Sequence, residues 1–416
     1  MRNWSGHVEF TAASIIEPSA ISDLQSAVAS SDRIRAVGTM HSFNDLADTD
    51  GIHVSVAGLP PLIEIDADQR IARVPAGLRY GEAARLLDDQ GWALHNMASL
   101  GHISVAGTIA TGTHGSGDHN PTLSAAVHGL DLVTATGDVV RVTRADDPDR
   151  FPGCVVSLGA IGVVTSVDLA IQPAFDVRQY VFDDVSHEAL LSDFDATFSS
   201  AYSVSFFTCW APDLVGQVWM KRRVDTDGEW TQPGLLDGTL ADGKRHPLPG
   251  HDAVHCTEQS GITGSWHERL PHFRLDFTPS SGDELQTEYL VPRDRAVELL
   301  RDLESLAPRI HALLHASEIR TMCADDLWLS GASGRDTVGI HFTWQRRPEV
   351  LGILAELDVL FADRGGRPHW GKLYDASPAS IRSRYPRFDD FADLADRMDP
   401  TGKFRNRTLD ALLAAG

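Results

Sequence analysis

The stretch NMASLGHISVAGTIATGTHGSG, residues 96 to 117, constrains this chain more than any other. Gly107, Gly112, Gly115 and Gly117 are interleaved with Ser104, Thr108, Thr111, Thr113 and Ser116, so main-chain N–H groups and small hydroxyls stand where a bulky partner could approach the backbone. Such a segment suits a pyrophosphate. It suits tight turns in a β-rich domain equally well. Neither GxGxxG nor GxxxxGK[ST] occurs in it, so it is neither a Rossmann fingerprint nor a nucleotide P-loop.

The flanking sequence alternates short strands with few helices. Ile21, Leu24 and Val28 predict a helix over 19–30 that packs on one side. HVSVAGL (53–59) reads as a strand, and LIEIDADQRIARV (62–74) as two strands folded at Asp-Ala-Asp-Gln. YGEAARLLDDQG (80–91) predicts a helix ended by glycine, LDLVTATGDVVRV (130–142) a hairpin turning at Thr-Gly, and IGVVTSVDLAI (161–171) a strand. Residues 225–265, rich in Gly, Pro, Asp and His, read as a long surface excursion. Beyond them LQTEYLV, ASEIRTM and TVGIHFTW predict strands, and RAVELLRDLESLA and EVLGILAELDVLFA predict helices. The fold class is therefore α+β, with an antiparallel sheet covered by helices in the second half.

Strand alternation sorts the polar residues there. Gln286 and Glu288 share one face of their strand, as do Glu318 and Arg320, and His341 and Thr343. A solvated outer face would give the same pattern. Donors and acceptors of mixed type also suit a ligand with several hydroxyls. His41, in VGTMHSFND (37–45), follows the strand-like IRAVG and occupies a tight loop, where a histidine is usually solvated or locally bonded. Lys372, in RPHWGKLY (367–374), is a surface lysine unless it turns into a pocket, where its charge would meet an alcohol or carbonyl oxygen.

Charge and composition exclude other classes. The 416 residues carry 36 Lys+Arg against 58 Asp+Glu, and a net charge of -22 repels nucleic acid and anionic lipid. The 4 cysteines show no CxxC spacing and read as buried free thiols, while the 18 histidines form no metal-ligand pattern, so no metal is expected. No leader or membrane-length apolar run is read in the sequence, and the chain reads as cytoplasmic. Oligomeric state is not legible, and a monomer is compatible with the sequence.

Together VGTMHSFN, SLGHISVAGTIATGTHGSG, EIRT, HFTW, HWGK and DPTGKFRN (399–406), in this order, resemble the alditol (xylitol, sorbitol) oxidase branch of the vanillyl-alcohol oxidase type of FAD-linked flavoprotein. The resemblance runs over nearly the whole chain. It implies a two-domain FAD-binding fold, with 1–175 and 366–416 as the FAD domain and 176–365 as the substrate (cap) domain. It implies FAD linked covalently through its C8-methyl to His41, and by that link alone, since no cysteine falls in 96–117 to form the second tether of berberine-bridge-type relatives. Cofactor contacts are implied for Val37, Gly38, Thr39, Met40, His41, Ser42, Ser99, Ser104, Gly107, Thr108, Thr111, Gly112, Thr113, His114, Gly115, Val163, His369 and Lys372.

The same resemblance implies oxidation of a terminal polyol CH2OH to an aldehyde, with O2 reduced to H2O2. Lys372, Arg320 and His341 are the implied catalytic residues, and Ser99, Gln286, Glu318 and Thr343 join them in binding the substrate. The expected partners are a small polyol and O2. An aldonolactone oxidase or dehydrogenase is the nearest alternative, because it shares the flavin loop and the HW-x-K element. A polyol-binding flavoprotein without redox activity is the alternative of another class, and a retained His41 argues against it.

Overall fold

Alternation along three strands decides the architecture. In the computed structural model, which describes residues 1–248, 250–277 and 284–414, Glu284–Pro292, Thr337–Gln345 and Leu314–Met322 lie side by side and antiparallel in a ten-stranded sheet. One face carries Leu285, Tyr289, Val291, Ile319, Val338, Ile340, Phe342 and Trp344, all buried in one core with the helices Arg293–Glu304 and Val350–Asp363. These helices exist because their apolar residues recur at helical spacing, at Ala296, Leu299, Leu300 and Leu303 in the first and Val350, Ile353, Leu354, Leu357 and Phe361 in the second. The other face holds the polar pairs. Glu288, Glu318 and Arg320 are 2%, 6% and 7% exposed, so that face is covered, and the solvated reading of the alternation fails.

What covers it is the first part of the chain. A parallel sheet orders Ser14–Ile16, Ile52–Val54 and Ile34–Ala36, and a five-stranded antiparallel sheet orders Glu64–Asp66, Ile71–Pro75, Val163–Ala170, Val127–Val133 and Val139–Thr143. The expected helix forms as Ile21–Ser30 and buries Leu24 and Val28, while Ile21 stays exposed at its start. HVSVAGL is extended only through Ile52–Val54. Its Gly58 passes so near the Pro18 carbonyl oxygen that an added Cβ would lie 2.8 Å away. The glycine-rich segment contains a short helix, Val105–Ala110, that the turn reading did not anticipate.

Residues 176–223 supply the strands Asp176–Ser186, Ser203–Thr208 and Val215–Arg223 of the large sheet, for which the sequence reading made no assignment. The excursion after them is irregular as expected, and among its described residues only Gly234–Leu235, Gly238–Leu240 and Gly264–Ser265 are strands paired at the sheet's edge. It is not merely superficial, because Cys256, Thr257 and Gln259 are buried. Residue 249 of the excursion, and residues 415 and 416 of the expected C-terminal portion, lie outside the described residues. Cys154 and Cys256 are buried free thiols, and Cys209 and Cys323 are half-buried. Among the described residues, no helix is long and apolar enough to cross a membrane.

The C-terminal tail returns to the first sheets. Phe388, Phe391, Leu394, Leu409 and Leu412 share a core with Leu130, Val167 and Leu169. The segment DPTGKFRN is a clamp rather than a ligand contact. Asp399 accepts from the amides of Lys403 (2.9 Å) and Phe404 (2.7 Å), folding the turn that Gly402 completes at φ +68°. Asn406 then donates to the carbonyls of Asp45 (3.0 Å), Leu46 (3.2 Å) and Asp48 (2.8 Å), and its own carbonyl caps Arg407–Leu413 at Leu409 N. Losing the cap and these buried bonds makes Asn406→Ala less stable by about 2–4 kcal/mol. Urea unfolding measures this, and a loss below about 0.5 kcal/mol would show that the clamp contributes nothing.

Candidate active site

Between the polar face of the large sheet and the first part of the chain lies a cavity of about 1080 Å³. One end is bounded by loops of small residues: Val37 to Ser42, then Ser104, Gly107, Thr108, Thr111 and Thr113, and Ser157 to Gly159. Their close approach requires glycine. A Cβ on Gly38 would stand 2.0 Å from Ser104 Oγ, and one on Gly107 2.8 Å from the same atom. Arg35 also reaches this wall, but its guanidinium is spent on the carbonyls of Leu46 (2.8 Å), Leu158 (2.7 Å) and Phe404. The lining here is thus main chain and neutral hydroxyls.

His41 is aimed by its own loop. Met40 has φ +57°, a left-handed conformation uncommon for a side chain of this size, and its carbonyl accepts from Trp4 N at 2.9 Å. The His41 ring stacks on Trp4 with centroids 5.1 Å apart, and Nδ1 lies 2.9 Å from Thr39 Oγ1. Burial lowers its pKa to about 4 against the opposing bond at Thr39, so the imidazole is neutral at physiological pH. The next residues stitch this loop to HWGK. Phe43 N donates to Gly371 O (2.8 Å), and Asn44 donates to the carbonyls of Trp370 (2.8 Å) and Lys372 (2.9 Å). Trp370 is an anchor, buried and donating to Leu329 O at 2.7 Å.

The other end is a buried array of charge. Glu288 pairs with His341 across the strands, and Glu318 pairs with His341 on its other side. Arg320 faces Gly339, where a Cβ would lie 3.1 Å from His114 Cε1 and 3.3 Å from Glu288 Oε1, so the glycine leaves the guanidinium room to cross to Glu288. Arg320 bonds Glu288 at 2.7 Å, with Glu318 at 3.7 Å, Ser99 Oγ at 3.4 Å and His114 O at 3.3 Å. Burial alone would raise both carboxyls. Arg320, with His114 beside Glu288 and His272 beside Glu318, instead holds them below the usual range. Lys372 donates to Gln286 Oε1, which also lies 3.2 Å from His341 Nε2. Burial brings Lys372 down to about 8, with Glu288 opposing and Arg320 assisting the shift.

At the level of whole chains, an alditol oxidase from a Streptomyces species is 45% identical over 99% of this chain and 98% of its own. The chain belongs to the alditol oxidase family. Residues 12–143 match the FAD binding domain family and residues 283–412 the D-arabinono-1,4-lactone oxidase family. An L-gulono-1,4-lactone dehydrogenase from Mycobacterium tuberculosis is 28% identical over 97% of this chain and 96% of its own. The fold is also that of a cholesterol oxidase from B. sterolicum, with TM-score 0.80 at 14% identity over 99% of this chain and 96% of that one. This alditol oxidase family member has an FAD-binding domain, and its residues suit FAD. The small-residue end offers backbone and hydroxyl groups for a diphosphate, and a cavity of about 1080 Å³ is above the usual range for a small ligand alone.

Most of the expected site residues line this one cavity: Val37, Gly38, Thr39, Met40, His41, Ser42, Ser99, Ser104, Gly107, Thr108, Thr111, Thr113, His114, Gln286, Glu318, Arg320, His341, Thr343, His369 and Lys372. Gly112, Gly115 and Val163 are not on its wall. Gly112 sits at φ +66° near Val156, and Gly115 packs against Met97 O and Asn96, where a Cβ would come within 2.4 Å. Val163 is a sheet residue buried with Val133 and Phe404. Sequence reasoning placed Glu288 on the same strand face as Gln286 without assigning it to the site, and missed Trp4 and His272 on the cavity wall and the buried Lys221 beside His272. LPHF and WMKRR carry no pattern that marks a site, although a lysine following Trp219 and Met220 in an apolar strand was an available signal.

Two buried carboxylates sharing one guanidinium give a prediction with a definite sign. In the native protein the lowered carboxyl values mean that the cluster's stabilisation is complete above about pH 4.5 and declines as pH falls below it. In Arg320→Leu the same carboxyls lack their cation, so burial raises them, and the variant regains stability as they protonate. The variant should lose about 3–5 kcal/mol at pH 7, and the gap should narrow toward about pH 4.5. Urea titrations at both pH values measure the gap. A constant difference would contradict the assignment.

Proposed function

We propose that this cavity oxidises the terminal CH2OH of an open-chain alditol, such as xylitol, sorbitol or glycerol, to the aldehyde. Bound FAD supplies the two-electron acceptor, and O2 is reduced to H2O2 as it is regenerated. The observation that carries the reading is the inward-facing set Gln286, Glu288, Glu318, Arg320, His341 and Thr343 on three adjacent strands. A polyol presents a row of hydroxyls that both donate and accept. An array of carboxylate, guanidinium, amide, imidazole and hydroxyl groups rejects a substrate lacking one of them, because a buried group is then left unpaired.

Each residue then has a role set by its protonation. His41, neutral at a value of about 4, retains a ring lone pair, which a bond to the flavin methyl needs. His341 and His369 are brought to about 3, mainly by burial, so they hydrogen-bond without carrying charge. Lys372 is displaced to about 8, close to neutral pH, and in its free-amine form accepts the hydroxyl proton. Arg320 fixes Glu288 and offers charge to the reacting oxygen. The domain partition, 1–175 with 366–416 for FAD and 176–365 for substrate, is supported by the tail's share in the first core. The free cysteines and the acidic composition fit a cytoplasmic protein, and a monomer belongs to the same reading.

An aldonolactone substrate is the second reading, favoured by the match of residues 283–412. Peroxide release across glycerol, xylitol, sorbitol and an aldonolactone separates the two: turnover of the lactone alone would replace the alditol reading. Single attachment at His41 predicts flavin that stays in the acid-precipitated pellet, and His41→Ala flavin that washes out. Loss of all flavin from the parent pellet contradicts the link. Lys372→Met should lower the anaerobic rate of flavin reduction by about 10²-fold or more, the scale of a lost general base. In the parent that rate should rise with pH through about 8, as the amine loses its proton. A flat profile, or a variant reduced at the parental rate, removes Lys372 from proton transfer.

A further inference from the structure

Behind Glu318, on the side away from Arg320, lies a pair of buried groups with no role in the chemistry above. Lys221, on the strand Val215–Arg223, is 1% exposed. Its Nζ donates to the carbonyls of Leu270 and Pro271 (3.1 Å) and lies 3.2 Å from His272 Nδ1. His272 is wedged edge-on between Phe207 and Trp219, with centroids 5.2 and 5.4 Å away, and its main-chain amide donates to Ser99 O at 3.1 Å. Its Nε2 stands 2.8 Å from Glu318 Oε1.

Donor counting fixes the direction of this chain. Below about pH 7 Lys221 is an ammonium, with three donors and no acceptor, and its three partners then make Nδ1 of His272 the acceptor. The single proton of a neutral imidazole is then on Nε2 and is donated to Glu318. Burial, reinforced by Lys221, lowers His272 to about 4, which keeps the ring neutral. Burial brings Lys221 itself to about 7, with Glu318 and Cys256 opposing the shift and Arg320 adding to it. Glu318 thus has one oxygen held by His272, while Oε2 lies 3.7 Å from Arg320 Nε on the cavity wall.

We propose that Lys221 and His272 form a positioning relay for substrate recognition. Lys221 sets the tautomer of His272, and His272 holds the Glu318 carboxylate as an oriented acceptor for a polyol hydroxyl. Lys221 is not on the cavity wall, and His272, which is, has both ring nitrogens engaged by Lys221 and Glu318, so both are positioning residues whose loss weakens binding rather than chemistry. The inference rests on the polyol reading of the cavity.

Its test compares His272→Gln, His272→Leu and Lys221→Met with the parent, each flavin-loaded. Glutamine retains an acceptor for Lys221 and a donor for Glu318, and leucine retains neither. Leucine at 272 and methionine at 221 should raise KM for xylitol about 10-fold with kcat within about 3-fold, the scale of one lost hydrogen bond, and glutamine should return KM to within about 3-fold of the parent. Independently of activity, the imidazole 15N resonances assigned to His272 at about pH 6 should report a neutral ring protonated at Nε2. Glutamine no better than leucine, a loss in kcat at unchanged KM, or an Nδ1–H or doubly protonated ring would overturn the relay. If Lys221→Met does not fold, the two His272 variants and the parent resonances decide alone. A parent inactive on every alditol but with the expected tautomer overturns the polyol reading, and with it the relay's role in recognition.

Discussion

The buried guanidinium of Arg320 is the interaction on which the site depends. Glu288 and Glu318 are both withdrawn from water, and each would shed its charge there without a cation within bonding or near-bonding distance. Arg320 reaches both because residues two apart on a strand share a face and because Gly339 across from it adds no side chain. Lys372 acts on both carboxylates, and Lys221 on Glu318. Burial is the largest cause of the displaced titrations of Lys372, Lys221 and His341, and the neighbouring charges modify it. An apolar floor would be easier to bury, but it could not distinguish one hydroxyl pattern from another.

Residues far apart in sequence meet here through two sets of main-chain bonds. Asn44 and Phe43 tie the His41 loop to Trp370, Gly371 and Lys372, so the proposed tether and the proposed base are placed by the same stitch. Asn406 holds the following turn at Asp45 to Asp48, and Arg35 holds Phe404 from the other side. Residues 399–406 do not line the cavity. They fix the loop that does.

Much of this was legible because it depends on local periodicity. The period of two along LQTEY, EIRT and HFTW identified the polar pairs, and glycine and hydroxyl content identified the small-residue wall. What was not legible depends on a second layer. Nothing in those strands says whether the polar face meets water or the rest of the chain, and only the packing of the first sheets answers it. Lys221 sits in a run with Arg222 and Arg223 that looks like a solvated strand end, yet alternation turns it inward beside Trp219. His272 follows an irregular excursion without period, and Trp4 precedes the first recognisable element. Gly112, Gly115 and Val163, which the resemblance implied as cofactor contacts, lie off the cavity wall, in tight backbone packing and in the sheet core.

The central claim is that inward-facing polar groups on three strands read the hydroxyls of an open-chain polyol. The most direct measurement is the ratio of kcat/KM for xylitol to that for the same chain lacking one inner hydroxyl. Such a site should favour xylitol by about 10²-fold or more, because the deoxy analogue leaves a buried donor or acceptor without a partner. A ratio within about 3-fold would contradict the claim and return the polar face to a structural role.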